Sequence, residues 1–128
     1  MDFESLDRYL LGEPVSKAAL VSELLAERSG RAAAAPFYRA LEAIGPRAAD
    51  EALVALRLVL AGHEPSDERV RRLRALSSLA RAAAAGDARG IAQALSRNRR
   101  QLGPLAESGS DPGALRAAVA SAYRAELG

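Results

Sequence analysis

The 128-residue sequence has no cysteine and no tryptophan, a single methionine, a single histidine and a single lysine, and only two phenylalanines and three tyrosines. Without cysteine there is no disulfide, no thiolate nucleophile and no Cys-ligated metal, and thiols say nothing about redox compartment. The lone His63 has no second His or Cys to complete a ligand set, so it reads as a surface loop residue after Gly62. Aromatics at 4% leave little for base stacking, and Tyr9, Tyr38 and Tyr123 sit at core spacings on helical segments, where they read as packing residues. The longest apolar stretch, ALVALRLVLAG at 52–62, is too short for a bilayer and carries Arg57 in its middle. The first residues are acidic (Asp2, Glu4, Asp7) and form no apolar leader run, so the expected location is the cytoplasm. No period of 30 to 45 residues recurs, no segment alternates like a strand, and no Gly-rich phosphate loop, supported Ser-His-Asp set or paired Glu-x-x-His motif is present. The expectation is a protein that is not an enzyme and needs no metal or cofactor.

What is present is alanine, leucine and arginine. Hydrophobic residues at 49% and charged residues at 27% suit one folded domain over residues 1–128, long enough to bury roughly two-thirds of the surface its unfolded chain exposes. Ala- and Leu-rich segments with few β-branched residues favour helices, and Gly and Pro punctuate them at regular intervals. Asp2 caps a first helix to Leu11, closed by Gly12 and Pro14; Ser16 caps a second that carries Leu20, Val21, Leu24 and Leu25 and stops at Gly30. Pro36 either opens a third helix to Ile44 or kinks a longer one, and Pro46 opens a fourth to Ala61. The leucines and valines of that fourth helix point almost all round, which predicts the central, most buried helix. Ser66 or Asp67 starts a fifth to about Ala85; Asp87 caps a sixth to Leu102; a polar connection over 103–113 leads to a seventh opened by Asp111 and Pro112. The predicted fold is all-α: a compact bundle of six to seven short helices around one core, joined by tight Gly/Pro turns.

Charge is unevenly distributed. Residues 1–65 hold ten acids against seven bases, residues 66–128 hold six against eleven, and the stretch 69–100 has nine arginines with Asp87 its one acid. On the fifth helix Val70, Leu73, Leu76, Ala80 and Ala84 gather on one side, with Arg71, Arg74 and Arg81 opposite. Asp67 precedes Arg71 by four residues and Glu68 precedes Arg72 by four, the favourable order for helical ion pairs, whereas Arg69, Arg74 and Arg81 have no acid three or four positions away. On the sixth helix Arg89, Gln93, Ser96, Arg97 and Arg100 share a sector of about 100°, a carboxylate-free stripe ~16 Å long at the usual helical rise. A row of this kind can follow successive phosphates, and a tight Gly-Asp turn lets the two helices combine their basic faces. Seventeen arginines against one lysine also fit GC-rich coding, with the arginines as solvated faces; Arg97, Arg99 and Arg100 fall at a helix C-terminus, where cations are favoured in any case.

Three further polar features read as structural. Asn98 lies on the apolar side of its helix and needs a hydrogen-bond partner. Arg57 on the fourth helix shares a sector with Asp50 and reaches the surface at one edge. Carboxylates such as Glu23 and Glu27 lie on exposed faces.

An apolar helix EALVALRLVLAGH followed by LRALSSLARAA and IAQALSRNRRQLGPL resembles, in the order and character of its elements over residues 31–127, the helical small subunits of CRISPR effector complexes. That resemblance implies subunits packed side by side along a ribonucleoprotein, presenting basic residues to nucleic-acid backbone; it assigns no individual residue. From charge and pairing, the expected backbone contacts are Arg69, Arg74, Arg81, Arg89, Arg97, Arg99 and Arg100, without sequence readout. The partners would be nucleic acid and protein subunits, copies of the chain among them, and no membrane. The alternative is a protein-interaction or adaptor module whose arginines meet an acidic partner or keep it in solution.

Overall fold

The computed structural model describes residues 4–16, 18–20, 23, 49–107, 109 and 111–128. The described chain is all-α, with no strand among the described residues. Its elements are α1 (Glu4–Leu10), α2 (Ala49–Leu60), α3 (Asp67–Ala84), α4 (Ala88–Arg97), α5 (Arg99–Leu102), a 3-10 turn (Gly103–Glu107) and α6 (Pro112–Leu127). The readings at Asp2, Val21, Leu24, Leu25, Glu27, Gly30, Pro36–Ile44, Tyr38 and Pro46 lie outside the described residues.

Several helix starts follow the capping rule. Ser66 sits in extended backbone and its hydroxyl accepts from the Arg69 amide; Asp111 accepts from the Ala114 amide at 3.0 Å with Pro112 in the first turn; Ser16 accepts from the Ala19 amide at 3.1 Å. Each satisfies an amide that the helix itself leaves without a carbonyl. Asp87 also precedes its helix, but its side chain makes no such bond. The first turn of α1 is instead satisfied from a distance: the Glu23 carboxylate accepts from the amides of Ser5 and Leu6 at 3.0 and 2.9 Å. Glu23 is therefore half-buried and capping another helix, not displayed on an exposed face.

One core cluster joins all six helices, with Leu6, Leu10, Leu53, Leu56, Leu73, Leu76, Ile91, Leu102, Leu115 and Val119 among its members. The expectation of a central fourth helix splits in two. On α2 no residue from Leu53 to Leu60 is exposed, yet the helix that touches α1, α2, α4, α5 and α6 is α3. Surrounded in this way, α3 buries more than one apolar face: Ala75, Ser77, Leu79 and Ala83 go inside with Val70, Leu73, Leu76 and Ala80. Buried Ser77 is accommodated because its hydroxyl donates to the Leu10 carbonyl. Beside it the turn after α1 presses on α3 so closely that a Cβ on Gly12 would stand 2.9 Å from the Arg81 Cα, and Gly12 has φ +84°. Only glycine meets both demands.

The predicted sixth helix is two. It breaks at Asn98 (φ −114°, ψ 22°), which ends α4 and precedes α5. The Asn98 side-chain amide donates to the Ala94 carbonyl at 3.1 Å, the same carbonyl that its backbone N–H reaches. Local side-chain bonding of this kind competes with regular helix. The polar connection that follows starts with the 3-10 turn, with Leu105 and Ala106 packed against the core. No helix among the described residues is long and apolar enough to cross a membrane.

Candidate nucleic-acid interface

Because α3 is packed on most sides, its surface between Arg69 and Ala84 narrows to three exposed residues, Arg71, Arg74 and Ser78. Their i, i+3, i+7 spacing sets them in one row along the helix. Across from that row runs the α4–α5 junction, and between them lies a groove of about 380 Å³ lined by Arg71, Arg74, Ala75, Ser78, Arg97, Asn98 and Gln101. Among the described residues three guanidinium groups line it and no carboxylate does. A second groove of about 480 Å³ continues past Arg71 and Gln101, with Arg72, Arg100, Asp67 and Glu68 in its walls. Arg71 and Gln101 belong to both, so Arg74, Arg97, Arg71 and Arg100 bound one connected surface.

Arg71 enters this site because the expected helical ion pairs do not form. Among the described residues no ion pair joins Asp67 to Arg71 or Glu68 to Arg72. Arg72 turns to α6, where Nε meets the Glu126 carboxylate at 2.8 Å and Nη1 donates to the Gln101 carbonyl. A tertiary carboxylate with better geometry outcompetes the exposed acid one turn back, whose pairing is worth only ~0.2–0.5 kcal/mol.

Of the seven arginines expected to contact backbone, Arg74, Arg97 and Arg100 come together in these grooves. Arg89 and Arg99 are exposed but line neither groove, and the row from Arg89 to Arg100 is interrupted by the break at Asn98. Arg69 is half-buried beside the α3 cap. Arg81 lies away from the wet face: its guanidinium sits 4.8 Å above the Tyr9 ring, a cation–π contact under the α1 turn. Sequence reasoning missed Arg71, Ser78 and Gln101, although the Arg71–Arg74–Ser78 spacing is a stripe that any helical projection contains.

A second polar cluster has the opposite character. Arg57 Nε donates to Asp7 Oδ1 at 2.6 Å and Nη2 to Oδ2 at 3.3 Å. The Tyr123 hydroxyl donates to the same Oδ1 at 2.5 Å. Tyr123 is 1% exposed, and its burial, with the Asp7 charge beside it, pushes its hydroxyl well above the ordinary tyrosine range. The cluster ties α1, α2 and α6 together. Arg57 thus faces Asp7, fifty residues away, where a surface edge was expected.

His63 is likewise a tie: its Nε2 donates to the Leu127 carbonyl at 2.8 Å, fastening the turn after α2 to the end of α6. Among the described residues no group of three His, Cys, Asp or Glu side chains is placed to hold a metal. The chain matches no protein-family model, no curated protein and no solved structure.

Proposed function

We propose that the protein is a non-catalytic helical subunit that binds nucleic-acid backbone through the Arg71–Arg74–Arg97–Arg100 surface, within a larger cytoplasmic ribonucleoprotein. The observation that carries this reading is the groove between α3 and the α4–α5 junction, which has three arginines and no carboxylate among the described residues of its walls. Guanidinium groups pair with phosphate through parallel N–H···O bonds, so a row of them suits a chain of phosphates better than a single buried anion. Stacking has no support from the tyrosines described: Tyr123 is buried and Tyr9 lies beneath Arg81. Binding through charge without bases is indifferent to sequence. The small subunits of CRISPR effector complexes, which the helix order resembles, are the kind of assembly this reading fits; other subunits, copies of the same chain among them, would be its protein partners.

Salt decides the matter. Four arginines on phosphates give log K against log salt a slope of about −3 on single strands and about −3.6 on duplex. Fluorescence anisotropy of the full chain with labelled oligonucleotides from 50 mM salt upward measures it, and absence of binding at low salt overturns the proposal.

A second reading, a protein-interaction module, draws on a separate depression of about 390 Å³. Leu11, Ala80, Ala117 and Ala120 line it together with Glu13, Arg116 and Arg124. It predicts partner binding that charge reversal at Arg71 and Arg97 leaves untouched.

A further inference from the structure

The groove is not lined by cations alone. Asn98 sits in its wall, at the break between α4 and α5, with Ser78 opposite on α3 and Gln101 one turn further along. The orientation of the Asn98 amide is fixed by chemistry. The Ala94 carbonyl can only accept, so the NH2 end faces it, at 3.1 Å, and the other end of the amide is the acceptor Oδ1. This is the only hydrogen bond of that side chain among the described residues. An acceptor oxygen beside three arginines is a poor feature for a site that meets phosphate alone, because phosphate oxygens also only accept. It suits a ligand that carries a negative charge and a hydroxyl donor a few bonds apart.

We infer that the groove takes a ribonucleotide unit, with arginines on the phosphate and the Asn98 Oδ1 accepting from the ribose 2′-hydroxyl, so that the protein prefers single-stranded RNA to single-stranded DNA. The inference rests on the reading that this surface binds nucleic-acid backbone, and adds a choice between its two chemical forms. The 2′-hydroxyl is the group by which a protein distinguishes them at a single site. Single strands are the form that fits, since a groove between two helices admits a chain whose sugar and phosphate turn in together.

Oligouridylate, oligodeoxyuridylate and 2′-O-methyl oligouridylate of one length differ only at the 2′ position. Against the full-length protein at fixed low salt, the ribo form is expected to bind about three- to tenfold tighter than the deoxy form, the span of one net hydrogen bond. The 2′-O-methyl form, which has lost the donor, is expected to bind like DNA. In Asn98→Ala the ribo-to-deoxy ratio falls to near one while deoxy affinity and salt slope stay where they were. Ser96→Ala, at an exposed position on α4 that lines neither groove, is the control for general damage and keeps the preference. If circular dichroism shows that Asn98→Ala does not fold, the three oligonucleotides on the unmodified protein decide alone. Equal binding of ribo and deoxy forms overturns this inference and leaves backbone binding standing; binding of neither at low salt overturns both.

Discussion

Two groups of arginines on one small bundle meet opposite fates. Arg57 is held by both oxygens of Asp7 with its side chain 13% exposed, and Tyr123 closes the carboxylate from the other side. Arg71, Arg74 and Arg97 are exposed along a groove that no acid lines among the described residues. Both regions contain guanidinium groups on amphipathic helices, and residue type does not separate them. The separation comes from where the tertiary fold puts carboxylates: Asp7 and Glu126 are spent on Arg57 and Arg72, and among the described residues none lines the α3 to α4–α5 groove. An arginine's role here is read from the acid nearest in space.

The sharpest way to break that contrast is to remove the inner partner. Arg57→Ala strands the Asp7 carboxylate and is expected to destabilise the fold by about 3 kcal/mol, at the low end for a buried pair because Asp7 keeps part of its surface in water. Arg97→Ala, exposed on the facing wall of the groove, is expected to change stability by no more than about 0.5 kcal/mol. Urea denaturation midpoints compare the two, and an equal cost for both would end the distinction. Next in size, Arg71→Glu and Arg97→Glu are each expected to weaken oligonucleotide binding about ten- to a hundredfold, the range of a hydrogen bond to a charged group. Each also flattens the single-strand salt slope by roughly 0.7 or more, visible in the same anisotropy titrations. Reversal at Arg81 or Arg69, outside the grooves, is expected to do much less. Tyr123→Phe, which removes one hydrogen bond to the Asp7 carboxylate, is expected to cost about 1.5 kcal/mol, roughly half the effect of Arg57→Ala.

The tyrosine also carries a pH signature. Its folded pKa stands above the unfolded value of 10.0, so the stabilisation is complete below about pH 10 and declines as pH rises beyond it. Urea midpoints between pH 8 and 11 should fall in the native protein relative to Tyr123→Phe; parallel curves would show that the hydroxyl is not held protonated by the fold.

The elements legible in the sequence were those set by local rules. Ser66 and Asp111 mark helix starts because a hydroxyl or carboxylate two or three residues ahead of an unbonded amide works the same way in any fold. Val70, Leu73 and Leu76 point inward because helical geometry puts them on one side. The site was half legible for the same reason: Arg74, Arg97 and Arg100 have no local acid, and they do line the basic surface. Arg71 was hidden by Asp67 four residues earlier, a pairing worth only ~0.2–0.5 kcal/mol that is not among the ion pairs formed. Arg81 was misplaced because the close approach of Gly12, which brings α1 and Tyr9 over that part of α3, lies seventy residues off and has no periodic signal. Asn98 was seen to need a partner, yet its break could not be read from apolar spacing that continues straight through to Leu102.

The last turns of α6 have a consequence for how the chain reaches this state. Tyr123, Glu126 and the Leu127 carbonyl are bound to Asp7, Arg72 and His63, at sequence separations of 116, 54 and 64 residues. Each pairing closes a long loop, whose entropic cost grows only with the logarithm of its length but must be met before the contact gives anything back. A bundle whose individual helices are local and quick to form is thus latched by its slowest encounters, the first helix meeting the last. The latch also reaches the groove: Arg72, held from behind by Glu126, stands in the wall of its second part and donates to the Gln101 carbonyl, so the closing of the last helix sets the shape of the basic surface.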